Sequence, residues 1–234
     1  MKKEVLGIKI DDVSIDQAVE VVIDWLKKRG KHYIVTPNPE IVVMAQQDQE
    51  LNRILNQADL AIPDGNGLRI GTDMVCITPG IDLMEELIKA SLDYGFTIGL
   101  LGGKLGIAKK AAECLLRKYP RLKITFANDG GIINEDGEMI GEDTKYIIPN
   151  TDLLFVGFGP PKQEKWIAKN LDKISVRIAM AVGGSLDYLS GTVPRAPKLI
   201  RKIGLEWFFR LIREPWRIKR QLALIEYLRL LMLS

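Results

Sequence analysis

The sequence predicts an α/β protein: a mostly parallel β-sheet with helices on both faces, followed by a helical C-terminal appendage. Three observations carry this. Apolar runs recur along the 234-residue chain, and most are continuous, as strands covered on both faces are. Helical patterns separate them, and alternating β and α units imply a parallel sheet between helices. From residue 195 onward the chain carries ten Lys and Arg against three Glu, whereas residues 1–194 carry 23 basic against 27 acidic side chains.

The strand-like runs are VLGIKI (5–10), HYIVTP (32–37), ADLAIP (58–63), FTIGLLG (96–102), KITFAN (123–128), DLLFVGFG (152–159) and RIAMAVGG (177–184). Ser14 is placed to cap a helix over SIDQAVEVVIDWLKK that stops at Gly30. Asp82 to Tyr94, Leu105 to Tyr119 and Pro161 to Leu171 repeat apolar residues at helical spacing. The boundary between core (1–194) and appendage (195–234) falls in SGTVPRAPK, where two prolines and a glycine interrupt the pattern. Beyond it, Leu222, Ile225 and Leu228 recur at helical spacing with Arg217, Arg220 and Arg229 interleaved. This reads as one or two amphipathic helices, broken before Pro215.

Composition removes several classes. With 47% hydrophobic and 27% charged residues the chain is globular, not disordered. Cys76 and Cys114 lie far apart and form no C-x-x-C pair, so neither a disulfide framework nor a zinc site is indicated, and a reducing, cytoplasmic setting is expected. The N-terminal MKKEVLGIKIDDVS meets Glu4, Asp11 and Asp12 before any long apolar stretch, unlike a secretory signal. No uncharged apolar run reaches the roughly 18 residues of a membrane span. His32 is the one histidine, so a histidine triad or multi-histidine metal site is excluded; it stands at the start of a strand and reads as structural.

Ligands of open parallel sheets bind at the carboxyl ends of the strands. Thr36 and Asn38, Asp64, Gly102 and Gly103, Gly157 and Gly159, and Gly183 and Gly184 all follow a predicted strand and converge on that rim. GLLGGKLGIAKKAAECL fits either an anion-binding glycine turn or tight strand-to-helix packing. GFGPPKQEKWI sets Lys162, Gln163 and Glu164 in the first turn of a helix, as caps or as ligand contacts, and Gln163 is read as facing ligand. On the pattern alone Asp64 in PDGNG reads first as a turn former, with a general base at a strand end as the second reading. No D-x-D pair is present, and IDD at 10–12 lies at the wrong end of a strand. Metal-independent chemistry is therefore favoured, with helix N-termini and arginines meeting any diphosphate charge.

Taken together, TPNPE, ADLAIPDG, GIDLMEEL, LLGGKLGIAKKAAECL, VGFGPPKQEKWI, AVGGSLDYLSGTVPRAPK and GLEWFFRLIREPWRIKR resemble the WecG/TagA/CpsF family of glycosyltransferases over nearly the whole chain. Within the family the chain looks most like the TagA branch, the N-acetylmannosaminyltransferases of wall teichoic acid assembly. The resemblance implies a Rossmann-like core and an inverting, metal-independent transfer of N-acetylmannosamine from UDP to the C4 hydroxyl of undecaprenyl-diphosphate-linked N-acetylglucosamine, with no cofactor. It implies Asp64 as catalytic base, and Thr36, Asn38 and Gln163 as substrate contacts; the strand-end glycines Gly102, Gly103, Gly157 and Gly159 are expected as substrate contacts by their position on the rim. It also implies that Arg210, Arg213, Arg217 and Arg220 of the appendage stabilise the leaving UDP, and that the appendage meets the inner face of the cell membrane. Two departures stand out. Family members usually carry Glu-Arg shortly before the GIDLM segment, where this chain has Cys76, Ile77, Thr78 and Pro79, so Arg69 is a candidate substitute; and ANDGGII (127–133) lacks the family's usual aromatic residue after its glycine.

Alternatives remain open from sequence: a related transferase using another UDP-sugar (N-acetylmannosaminuronic acid or glucose), a nicotinamide-dependent oxidoreductase, or a nucleotide-binding module without activity. A nucleic-acid-binding module is the other reading of the basic tail, but membrane contact is preferred, because Trp207, Phe208, Phe209 and Trp216 stand among its arginines. The tail's apolar face also suits packing on the core or on another subunit, as in self-association in solution.

Overall fold

The computed structural model describes residues 2–140, 146–202, 204–215 and 218–233. The chain opens with β1 (Lys2–Val5) and β2 (Ile8–Asp11), then α1 (Ile15–Lys27), β3 (His32–Val35), α2 (Pro39–Gln47), α3 (Gln49–Gln57), β4 (Leu60–Ala61), α4 (Gly80–Tyr94), β5 (Thr97–Gly102), α5 (Ile107–Lys118) and β6 (Lys123–Asn128). A small hairpin of β7 (Ile132–Ile133) and β8 (Met139–Ile140) precedes β9 (Thr151–Gly157), α6 (Lys162–Asn170), β10 (Val176–Ala181) and α7 (Ser185–Leu189). The appendage supplies α8 (Lys198–Lys202), α9 (Glu206–Arg213) and α10 (Ile218–Leu233).

Six strands form one parallel sheet in the order β4-β3-β10-β9-β5-β6. The continuous apolar runs follow from its two covered faces. Ile34, Leu153, Phe155, Ile178 and Met180 pack toward α1, α4 and α5, while Val35, Leu154, Val156, Ala179 and Ala181 pack on the opposite side. Local signals close the helices as expected. Ser14 and Gln17 form a reciprocal capping box at α1. Gly95, in the left-handed conformation, ends α4.

Two parts differ from the sequence expectation. VLGIKI is not one strand of the sheet but the turn and second strand of an antiparallel hairpin, reversing at Leu6 and Gly7 (φ 48° and 78°). The segment after TPN, to which the sequence patterns assign no element, folds into α2 and α3. Asn38 Oδ1 accepts from the Ile41 N–H at 3.0 Å with Pro39 in the first turn, and Asp48 Oδ1 accepts from Leu51 N–H at 3.0 Å. No polar stripe marks α2, because α10 covers its outer side.

In the helical appendage α9 ends at Arg213, ahead of Pro215, and α10 runs from Ile218. Tyr227 of α10 is fully buried, and its hydroxyl donates to Ile70 O at 3.2 Å, with Leu224, Leu228 and Leu231 packed around it. Leu222 and Ile225 face outward instead. Among the described residues no helix is long and apolar enough to cross a membrane.

Candidate active site

The carboxyl ends of the strands open into a cleft of about 790 Å³, and Glu206, Trp207, Arg210 and Leu224 of the appendage form part of its wall. A shallower depression of about 440 Å³ lies at the amino ends, by Arg29, Lys31 and Arg177. Two of these cations are already engaged: Lys31 donates to the carbonyls of Leu171 and Ile174, and Arg177 pairs with Asp152. His32 lies at the same end, stacked on Trp25 and 3.1 Å from Asp59, which fits a structural role.

Asp64 lies at the base of the cleft. Its segment continues past β4 by backbone bonds to the end of β3, with Ile62 N–H donating to Val35 O and Asp64 N–H to Pro37 O at 2.8 and 2.9 Å. The carboxylate accepts from the Gly80 N–H at the start of α4. Burial in the cleft pushes the Asp64 pKa up to about 7, Glu206 and Asp82 push the same way, and Gly80 and Arg195 oppose them. Part of the side chain's surface still faces the cleft, so the group is enclosed yet reachable.

Thr36 and Asn38 lie beside it. Thr36 is buried, donates to Ala181 O at 3.3 Å and packs on Gly80. Asn38 both lines the cleft and caps α2, so its side-chain oxygen serves the helix. On the far wall Gly103, Gly157 and Gly159 line the cleft, with Gly103 N–H donating to Gly157 O at 2.9 Å. Gly102 is different: a Cβ there would meet the Gly157 carbonyl carbon at 2.7 Å, so it permits the close approach of β5 to β9. Gln163 lines the cleft but is only 1% exposed, and its carbonyl oxygen accepts from Gly159 and Gly183 N–H groups.

The predicted arginines separate. Arg210 lines the cleft, 3.3 Å from Asp187 and 2.6 Å from Glu214, with its guanidinium over the Tyr188 ring. Arg213 lies over Phe209 and is exposed, away from the cleft lining. Arg217, with Trp216, lies outside the described residues, and Arg220 falls within α10. Arg69 donates to Val75 O and does not line the cleft, whereas Ile77 does.

Sequence reasoning missed Lys104, Arg201 and Glu206 in the lining, and the role of Arg195. Arg195 binds Asp82 at 2.5 Å, Glu206 at 3.1 Å and Glu85 at 3.7 Å, tying the start of α4 to α9. The position of these cations among helix-start acids is a long-range fact that no local motif announces. Among the described residues no group of three or more His, Cys, Asp or Glu is arranged to hold a metal ion.

A carboxyl with its pKa raised to about 7 at the strand ends, in a cleft also lined by glycine turns and cations, gives this α/β protein a group able to take a proton beside an anion. The comparisons give that class its name. The chain belongs to the glycosyl transferase WecG/TagA/CpsF family, whose model matches residues 3–234, and it is a glycosyltransferase. It is similar to two Staphylococcus aureus proteins, of strains MW2 and NCTC 8325 / PS 47, each named N-acetylglucosaminyldiphosphoundecaprenol N-acetyl-beta-D-mannosaminyltransferase. Each is 33% identical over 226 residues, covering 94% of this chain and 87% of the relative.

Proposed function

We propose that this glycosyltransferase moves N-acetylmannosamine from UDP to the C4 hydroxyl of undecaprenyl-diphosphate-linked N-acetylglucosamine, making the linkage unit of wall teichoic acid. The relatives' names supply the sugar and the acceptor. The observation that carries the chemistry is Asp64, a carboxyl with a pKa of about 7 at the base of a cleft large enough for a nucleotide sugar. In a single inverting displacement Asp64 takes the proton from the acceptor hydroxyl as that oxygen attacks the anomeric carbon. The bond from that carbon to the UDP oxygen breaks on the opposite face. The leaving diphosphate needs positive charge, and Lys104, Arg201 and Arg210 line the cleft to meet it without a metal.

In this proposal the enzyme meets its lipid-held acceptor at the cytoplasmic face of the membrane. In support, the appendage exposes Trp207, Phe208 and Ile212 of α9 together with Leu222, Ile225 and Met232 of α10, an apolar set beside cationic residues suited to an interface. The test is UDP release by the full-length protein from UDP-N-acetylmannosamine with detergent-solubilised prenyl-diphosphate N-acetylglucosamine in EDTA. Acceptor-dependent release is expected; release only with another UDP-sugar would reassign the donor, and release requiring a divalent cation would overturn the metal-free mechanism.

A further inference from the structure

Neighbouring strands β9 and β10 remain bonded up to Val156 and Val182, where Val182 N–H donates to Val156 O at 2.9 Å. Beyond that point the two chains diverge into the loops that line the cleft, and the N–H groups of Gly159 and Gly183 have no ladder carbonyl to meet. One side-chain atom takes both: Gln163 Oε1 accepts from Gly159 at 3.2 Å and from Gly183 at 2.9 Å. A carbonyl oxygen has two lone pairs and can accept both, whereas an amide nitrogen turned to the same place could accept neither.

The amide could rotate by half a turn, and the neighbouring residue decides that it does not. Gln163 Nε2 donates to Glu164 Oε1 at 2.8 Å. Glu164 is fully buried, its Oε2 has no hydrogen-bond partner, and it does not line the cleft. A buried carboxyl oxygen left unmatched is costly, so the group is poorly explained as packing. Burial pushes the Glu164 carboxyl up to about 7; the Gln163 bond and its own backbone N–H oppose the rise, and Glu40 of α2 adds to it.

We propose that Glu164 is a positioning residue: it fixes the Gln163 amide so that its oxygen clamps the β9–α6 and β10–α7 loops into one wall of the cleft. Gln163 then acts first on the backbone of the site and not as a free ligand group. The kinetic consequence rests on the glycosyltransferase reading of the cleft; the clamp does not.

The experiment compares wild type, Glu164→Gln, Glu164→Leu, Gln163→Glu and the exchanged pair Gln163→Glu/Glu164→Gln in the full-length protein. Hydrogen exchange at the Gly159 and Gly183 amides is read by NMR, and donor kinetics alongside it. Glu164→Gln still offers an acceptor oxygen, so protection is expected within about threefold of wild type. Glu164→Leu is expected to lose about tenfold or more at both amides and to raise the KM for the UDP-sugar more than it lowers kcat, each tenfold being about 1.4 kcal/mol. Gln163→Glu sets two carboxylates together and should lose protection. The exchanged pair, in which an amide at position 164 donates to a carboxylate at position 163, should regain most of it. Unchanged protection in Glu164→Leu, or an exchanged pair no better protected than Gln163→Glu alone, would overturn the proposal. If Glu164→Leu does not fold, Gln163→Glu and the exchanged pair decide it. Were wild type inactive with every UDP-sugar, the functional reading would fall while exchange still judged the clamp.

Discussion

Replacing Asp64 by Asn is expected to stop transfer and to stabilise the fold, and the second effect can be worked from the environment of the carboxyl. Its pKa moves from 3.8 to about 7, chiefly through burial. At about 1.4 kcal/mol per unit, that sets a ceiling of roughly 4 kcal/mol on what ionised Asp64 costs the folded state. Water reaches part of the side chain, and screening reduces the net figure to about 1–2 kcal/mol. For a chain of this size the gain corresponds to about 2–8 °C in Tm. Below the unfolded value of 3.8 the carboxyl is protonated folded or unfolded, and it contributes no penalty. As pH rises from there to about 7 the unfolded chain releases its proton first, so wild-type stability falls relative to the variant, and above about 7 the gap is constant. Asparagine does not titrate and can still accept from the Gly80 N–H. Thermal melts of both proteins at pH 5 and pH 8 test this: the variant's advantage should be larger at pH 8. A gap equal at the two pH values, or a wild type more stable at pH 8, would refute the account of Asp64 as a strained carboxylate. Transfer by the variant should fall about a hundredfold or more while UDP affinity persists; equal rates would leave Asp64 a turn residue.

Three further outcomes follow from the surroundings of the cleft. Arg195→Met leaves Asp82, Glu85 and Glu206 facing one another and should cost about 2 kcal/mol in chemical denaturation; because Arg195 lowers the Asp64 pKa, the acid limb of the kcat/KM profile should also move to higher pH. Gly184 has an ordinary backbone conformation, but a Cβ there would lie 2.6 Å from the Arg210 guanidinium, so Gly184→Ala should leave Tm nearly unchanged and displace Arg210. The expected loss is about tenfold in kcat/KM, and it should vanish in an Arg210→Ala background if Arg210 is the group displaced. Tyr227→Ala empties a fully buried site under α10 and should cost about 3–5 kcal/mol by urea unfolding, against about 1 kcal/mol for Tyr227→Phe, which loses the bond to Ile70 O alone.

The parts of this molecule that were legible in its sequence are those fixed by short-range patterns. The strands of the sheet read as continuous apolar runs because both faces are covered, and α1 announced itself through Ser14 and its three-to-four spacing. Asp64 could be placed on the rim because strand-end loops gather there whatever the strand order, but its pattern alone read as a turn and only the family resemblance pointed to a base. By contrast α2 hid, since α10 packs on its outer side and removes the polar stripe by which a surface helix is recognised. Gln163 was visible as a polar residue near the rim, but its orientation depends on where Gly183 arrives from another strand. Gly102 was ambiguous for a similar reason: the atom that requires glycine there belongs to Gly157, across the sheet.

The charge asymmetry of the sequence acquires a specific meaning in the fold. A basic tail on an acidic body invites the idea of attraction to a distant polyanion, yet several of its arginines form ion pairs within the fold, Arg195 and Arg201 with Asp82, and Arg210 with Asp187 and Glu214. These contacts hold α8 and α9 over the strand ends. They also carry Glu206 within electrostatic reach of Asp64, where its charge raises the pKa of that carboxyl. Undocking the appendage would remove that repulsion, remove the smaller opposing effect of Arg195 and admit water, and the balance lowers the Asp64 pKa and weakens it as a proton acceptor. The appendage therefore does more than cover the site: with Arg210 in the wall and Glu206 acting on Asp64, it contributes to both ends of the proposed displacement, the departing anion and the proton removed.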